Sequence, residues 1–161
     1  MDELLQRTVG LPEIKLSPGD VVIREGEAGG GLWILVSGAL QISKDGVAIN
    51  AIDRPGAAVG EISLLLDSPV SATVVAREAS VLRHAVDGRA LMAGDAAITR
   101  LIAVGLAERL AFVTTYLADL KNQYGDAPGM AMVSEVIDQL AHHRLGPPAR
   151  PGSARDPDPD Y

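Results

Sequence analysis

A mainly β domain followed by a helical C-terminal part is the fold class this sequence predicts, and three observations predict it. Between Leu11 and Val86, short β-branched runs alternate with turns rich in Gly and Pro; many short strands at close spacing favour a sandwich or barrel over a parallel sheet. From Asp87 to Leu145 the pattern turns helical. Apolar residues make up 47% of the 161, enough to give a chain of this length a core of its own.

The elements follow in order. Residues 1–10 carry a short amphipathic helix over Asp2–Val9, and residues 11–94 are assigned to the β domain. Within it, Asp20–Arg24 follows the turn Ser17-Pro18-Gly19, and Leu32–Val36 lies between Gly29-Gly30-Gly31 and Ser37-Gly38. Leu40–Ser43 and Val47–Asn50 flank Lys44-Asp45-Gly46, a hairpin signal because Gly accepts positive φ. Ser71–Ala76 and Ser80–Val86 complete the strands. Asp87 is placed to cap a short helix through Met92. Asp95 opens a long one over residues 95–125, of roughly 43 Å at 1.5 Å per residue. Leu106, Leu110, Val113, Leu117, Leu120 and Tyr124 recur on it at four-three spacing, close to a heptad seam. A helix that long outruns a small domain, so the seam predicts a homodimer. Residues 126–145 hold one more amphipathic helix. The Pro- and Asp-rich residues 146–161 bury too little apolar surface to order themselves.

Composition excludes several function classes. The formal net charge is −7, whereas a duplex reader needs cations to displace phosphate counterions, so no nucleic-acid partner is expected. One Trp, one Phe and three Tyr leave few rings for stacking single strands. There is no Cys, and the three His are not clustered in the β region, which argues against thiolate chemistry and against a metal-dependent barrel enzyme. No Ser–His–Asp pattern is visible. An acidic start without signal-peptide character, and no apolar run of membrane length, predict a cytoplasmic protein with no membrane partner.

The stretch from Gly60 to Val74 carries the chemistry. It reads as a strand end, a short helix, a polar turn and a new strand. Free N–H groups at a helix start attract an anion, and a carboxylate such as Glu61 can accept from vicinal sugar hydroxyls. Those features suit a sugar-phosphate ligand. The same residues would also serve as an ordinary helix start and strand, with Glu61 favoured by the helix dipole.

Gly60-Glu61-Ile62-Ser63-Leu64-Leu65 followed by Pro69-Val70-Ser71-Ala72-Thr73-Val74 resembles the phosphate-binding cassette of cyclic-nucleotide-binding domains. Leu16–Asp20, Ile23–Glu27 and Leu32–Gly38 agree in register with the same family. The resemblance implies an eight-stranded β-roll of jelly-roll type plus a C-terminal helical subdomain with a long dimer helix. It implies cAMP or cGMP as ligand and no other cofactor, metal or catalytic residue. The ligand-binding residues it implies are Gly60, Glu61, Ile62, Ser63, Val70, Ser71, Ala72 and Thr73. Gly60 would let the backbone approach, Glu61 would hold the ribose 2′-hydroxyl, and Ser71 would contact the cyclic phosphate. On the long helix Glu108-Arg109-Leu110 resembles the start of the dimer helix in catabolite activators. The resemblance implies that Arg109 lies near Glu61, with Val113 and Thr114 near the purine.

One position departs from the family: its phosphate-binding arginine falls at Val70. Losing such a charge-assisted hydrogen bond lowers affinity about ten- to a hundredfold. Arg77 would share a strand face with Ser71 but lies roughly 20 Å along the strand, so Arg54 is the better spare cation. After Tyr124 there is material for one helix only, with His142, His143 and Arg144 near its end, too little for a supported DNA-recognition helix. The expected function is a non-enzymatic sensor or regulatory module that binds cAMP, cGMP or a related anion weakly, switches a dimer helix and acts on an unidentified protein partner. The alternative is a scaffold of the same fold that binds no nucleotide.

Overall fold

The computed structural model describes residues 2–125 and 130–141. Two four-stranded antiparallel sheets form the β part. One has the order β1 (Glu13–Leu16), β8 (Ser80–Ala85), β3 (Leu32–Ser37), β6 (Ala58–Val59). The other has the order β2 (Val21–Ile23), β7 (Thr73–Ala76), β4 (Leu40–Lys44), β5 (Val47–Ile52). The eight strands and the helical C-terminal part are the fold class expected. The strand at Glu13–Leu16 is not among those expected. The strand expected from Ser71 starts at Thr73, so Ser71 and Ala72 lie outside it.

Alternation along the strands explains where the core sits. In β3, Leu32 and Ile34 point one way and Trp33 and Leu35 the other. Leu32, Ile34, Ala58 and Ala85 join one buried cluster with Leu4 of α1 (Glu3–Arg7), Leu64 of α2 (Glu61–Leu66) and Met92 of α3 (Gly88–Gly94). Ile98 and Ile102 of α4 (Ala96–Tyr124) complete it. Leu35, Val59 and Leu82 join a second cluster with Ile23, Leu40, Val70, Val74 and Ala76, the two sheets facing each other. The first sheet thus has apolar residues on both faces, helices on one side and its partner sheet on the other. Each buried Leu, Ile or Val contributes about 1.5–3 kcal/mol by leaving water.

Local chemistry sets the boundaries. The β4–β5 turn is Asp45-Gly46, with φ of 50° and 76°, the two-positive-φ hairpin whose twist matches its strands. Asp87 caps α3, its Oδ1 accepting from Ala90 N–H at 2.9 Å. Asp95 does the same for α4, accepting from Ala97 N–H at 2.8 Å, and Arg7 of α1 reaches that carboxylate at 3.1 Å. These contacts hold the Asp95 carboxyl below its usual range, the backbone hydrogen bond foremost.

The chain divides into two compact units, Met1–Ala107 and Glu108–Tyr161. The first turns of α4 therefore belong with the roll, where Ile98 and Ile102 are buried; a boundary is expected between residues 94 and 95, and this division falls thirteen residues later, inside the helix. In the second unit α5 (Met130–Ala141) matches the extra amphipathic helix. The tail expected at 146–161, with 126–129, His142 and His143, lies outside the described residues. No single described helix is long and apolar enough to cross a membrane.

Candidate functional site

The geometry of the cassette is set where the chain leaves β6 and enters α2. Gly60 arrives from β6 with φ 93°, a left-handed conformation that side chains resist. A Cβ there would also lie 2.7 Å from the Gly31 carbonyl oxygen and 3.1 Å from the Trp33 ring. The next residue, Glu61, is only 3% exposed, an uncommon burial for a carboxylate. Ser63 is buried and its hydroxyl donates to the Gly60 carbonyl at 2.9 Å. Ile62 faces outward with Leu65 and Leu66, all three exposed. α2 ends at Asp67, φ 51°, whose carboxylate meets Arg89 of α3 at 2.5 Å. A hollow of about 210 Å³ lies at that far end, between Gly29, Gly30, Ser63, Pro69 and this ion pair.

The segment implied to hold phosphate runs from Val70 to Thr73. Val70 is 6% exposed and packs in the second cluster. Its N–H donates to Glu27 O at 2.9 Å and its carbonyl accepts from Gly26 N–H at 2.8 Å. Ser71 is exposed, and its carbonyl accepts from Lys44 Nζ at 3.0 Å. Thr73 Oγ1 accepts from Glu25 N–H at 3.0 Å. Glu25 in turn takes Lys44 Nζ on one oxygen at 2.7 Å and Asp45 N–H on the other at 2.9 Å. The Lys44 hydrogen bond is the main reason that the Glu25 carboxyl sits below its usual range, and Glu25 raises the Lys44 ammonium above its own.

Lys44 and Glu25 were not among the residues singled out from the sequence. The hairpin turn at Lys44-Asp45-Gly46 was legible, but the Ser43–Thr73 pairing that carries Lys44 to Ser71 is a cross-strand register that no local pattern announces. Of the two spare cations considered, Arg77 follows the last residue of β7, so it does not share a strand face with Ser71. It is exposed, and its N–H donates to Ala39 O at 2.8 Å. Arg54 is exposed in the turn before β6.

Beneath Gly60, Trp33 stacks on His84, ring centroids 4.6 Å apart and planes within 9°. Burial pushes the His84 imidazole below its ordinary value. The unfolded chain therefore takes up the proton first as pH falls. Stability from the neutral ring is present above about pH 6.5 and is lost as pH drops through that value toward the lower folded one. The expected result is a urea midpoint that falls between pH 7 and pH 5, with a shallower fall in His84→Phe. An unchanged slope in that variant would assign the fall to other groups.

On α4, Arg109, Val113 and Thr114 fall in the second unit, while Glu61 and Ser71 fall in the first. Arg109 and Val113 are exposed, and the Thr114 hydroxyl donates to Leu110 O at 2.8 Å. Of the seam residues, Leu106 packs against the first cluster of the roll. Leu110, Val113 and Tyr124 are exposed, and Leu117 and Leu120 are half-buried. Among the described residues no group of three or more His, Asp or Glu is placed to hold a metal ion.

Comparison with known proteins agrees with this geometry. Residues 13–86 match the family model of the cyclic nucleotide-binding domain. The cAMP-dependent protein kinase regulatory subunit of Yarrowia lipolytica is 39% identical over 84 residues, 51% of this chain and 22% of that protein. Acetyltransferase Pat of Mycolicibacterium smegmatis is 42% identical over 71 residues, 42% of this chain and 21% of that protein. The matches thus span about a fifth of these relatives' length. Among solved structures, the catabolite activator protein of Thermus thermophilus superposes with a TM-score of 0.57 at 23% identity, over 91% of this chain and 88% of that one. That likeness establishes the fold.

Proposed function

We propose, from the premise that residues 13–86 belong to the cyclic nucleotide-binding domain family, that this chain is a non-catalytic regulatory module whose roll binds cAMP or cGMP. The observation that carries the reading is the start of α2. Gly60 takes a conformation and a close approach that only glycine tolerates, and it presents a buried carboxylate, Glu61, as the first helical residue. Such a carboxylate suits a ribose hydroxyl, and Ser71, exposed one residue beyond Val70, suits the phosphate. Bound ligand then biases two arrangements of the cassette and of the helix, in proportion to its differential affinity for them.

The exposed Leu110 and Val113 on α4 support the homodimer, since apolar side chains at seam spacing are covered in a coiled pair. The output is contact with a protein partner, in keeping with the kinase regulatory subunits among the relatives. A second reading, a scaffold that binds no nucleotide, is favoured by Val70 alone, which fills the apolar cluster where the family carries its cation.

Calorimetric titration with cAMP and cGMP distinguishes the two readings. Binding in the micromolar range or weaker is expected, with a light-scattering mass of two chains. No heat at millimolar ligand sinks the sensor reading, and a mass of one chain sinks the dimer.

A further inference from the structure

We propose that Lys44 is the cation that receives the ligand's phosphate, standing in for the arginine that position 70 lacks; this rests on the nucleotide-binding reading above. Val70 cannot recruit charge, because its side chain is 6% exposed among Ile23, Leu35, Leu40 and Val74. The charge has to come from another element that reaches the same segment. Strand parity supplies one. β4 and β7 pair without interruption through Leu40↔Ala76, Gln41↔Val75, Ile42↔Val74 and Ser43↔Thr73. Lys44 is the next residue, beside Ala72, with the parity of Leu40 and Ile42, which turn into the space between the sheets.

The contacts agree with the parity. Val70 spends its N–H and carbonyl on Glu27 and Gly26, in the loop after β2. The Ser71 carbonyl turns to the opposite neighbour, where Lys44 Nζ lies 3.0 Å away. An ammonium has three donors. Ser71 O takes one and Glu25 Oε1, at 2.7 Å, a second, which leaves a third for a phosphate oxygen at Ser71. Glu25 partly neutralises the ammonium before ligand arrives, so it opposes the phosphate and does not recruit it. Its other oxygen is occupied by Asp45 N–H. Lysine offers a point charge and not a two-pronged fork, so it orients phosphate less strictly than arginine does.

The test is calorimetric titration of the full chain with cAMP and cGMP, on the wild type and on Lys44→Met, Lys44→Arg and Glu25→Gln, each checked for folding by urea denaturation. Lys44→Met is expected to weaken binding about tenfold or more, the loss of one charge-assisted hydrogen bond. Its affinity should also depend less steeply on salt. Lys44→Arg should stay within about threefold of wild type. Glu25→Gln, which removes an anion but keeps the cation, should bind no more weakly than wild type. If Lys44 were only a tether between the hairpin and the cassette, Lys44→Met and Glu25→Gln would weaken binding together, and that outcome overturns the inference. Undiminished binding by Lys44→Met overturns it alone. No binding by the wild type overturns the functional reading and this inference with it.

Discussion

Gly60→Ala is expected to destabilise the fold by about 2–4 kcal/mol and to abolish the proposed nucleotide binding in whatever fraction remains folded. Two costs coincide at this residue. A side chain at φ 93° is strained in its own right, and its Cβ would stand 2.7 Å from the Gly31 carbonyl. Relief requires the backbone before α2 to move, and with it the buried Glu61 and the Trp33 ring. The single Trp of the chain gives the readout, because its fluorescence follows both urea unfolding and displacement of the cassette. Gly94→Ala is the control: a Cβ there meets nothing within 4 Å, and its midpoint should match wild type. Equal midpoints for the two variants would refute the account of the α2 start.

Val70→Arg carries the second large effect, and it acts in two opposing directions. By family pattern it restores the phosphate cation. By packing it puts a guanidinium where a valine is 6% exposed among aliphatic side chains. Without ligand, the variant should lose about 2–3 kcal/mol, less than a fully trapped charge costs because the arginine stem can carry the head toward solvent. Saturating cAMP should return a larger share of that stability than it adds to wild type, by mass action on a tighter site. A ligand-free urea midpoint equal to wild type would show that position 70 opens on solvent and not on the core.

Much of this fold was legible because its strands are short and punctuated. The Lys44-Asp45-Gly46 hairpin, the Asp87 and Asp95 caps and the strand at Leu32 each announce themselves within a few residues. Glu13–Leu16 did not, since Glu13 and Lys15 dilute its apolar signal and the strand exists by pairing with β8 across some seventy positions. The division inside α4 was not legible for a related reason. Periodicity marks where a helix starts but not where the roll's core stops taking its residues, and Ile98 and Ile102 are still inside. In the candidate site, Gly60 and Glu61 were readable from motif and spacing. What surrounds Val70 was not. Its burial depends on Ile23, Leu35 and Leu40 arriving from three other strands, and the Lys44–Glu25 pair depends on register between β4 and β7.

The first sheet, apolar on both faces, is a party wall between two rooms. Leu32 and Ile34 furnish the room that holds the helices, α2 among them, while Trp33 and Leu35 furnish the room between the sheets, where Val70 lies. Neighbouring codons in one short strand therefore report to different halves of the molecule. Packing between the sheets and attachment of the helices can be tuned by single changes one residue apart, whereas a one-residue slip exchanges the occupants of both rooms at once. Evolution can adjust the two rooms separately along this strand, but only while its register stays fixed.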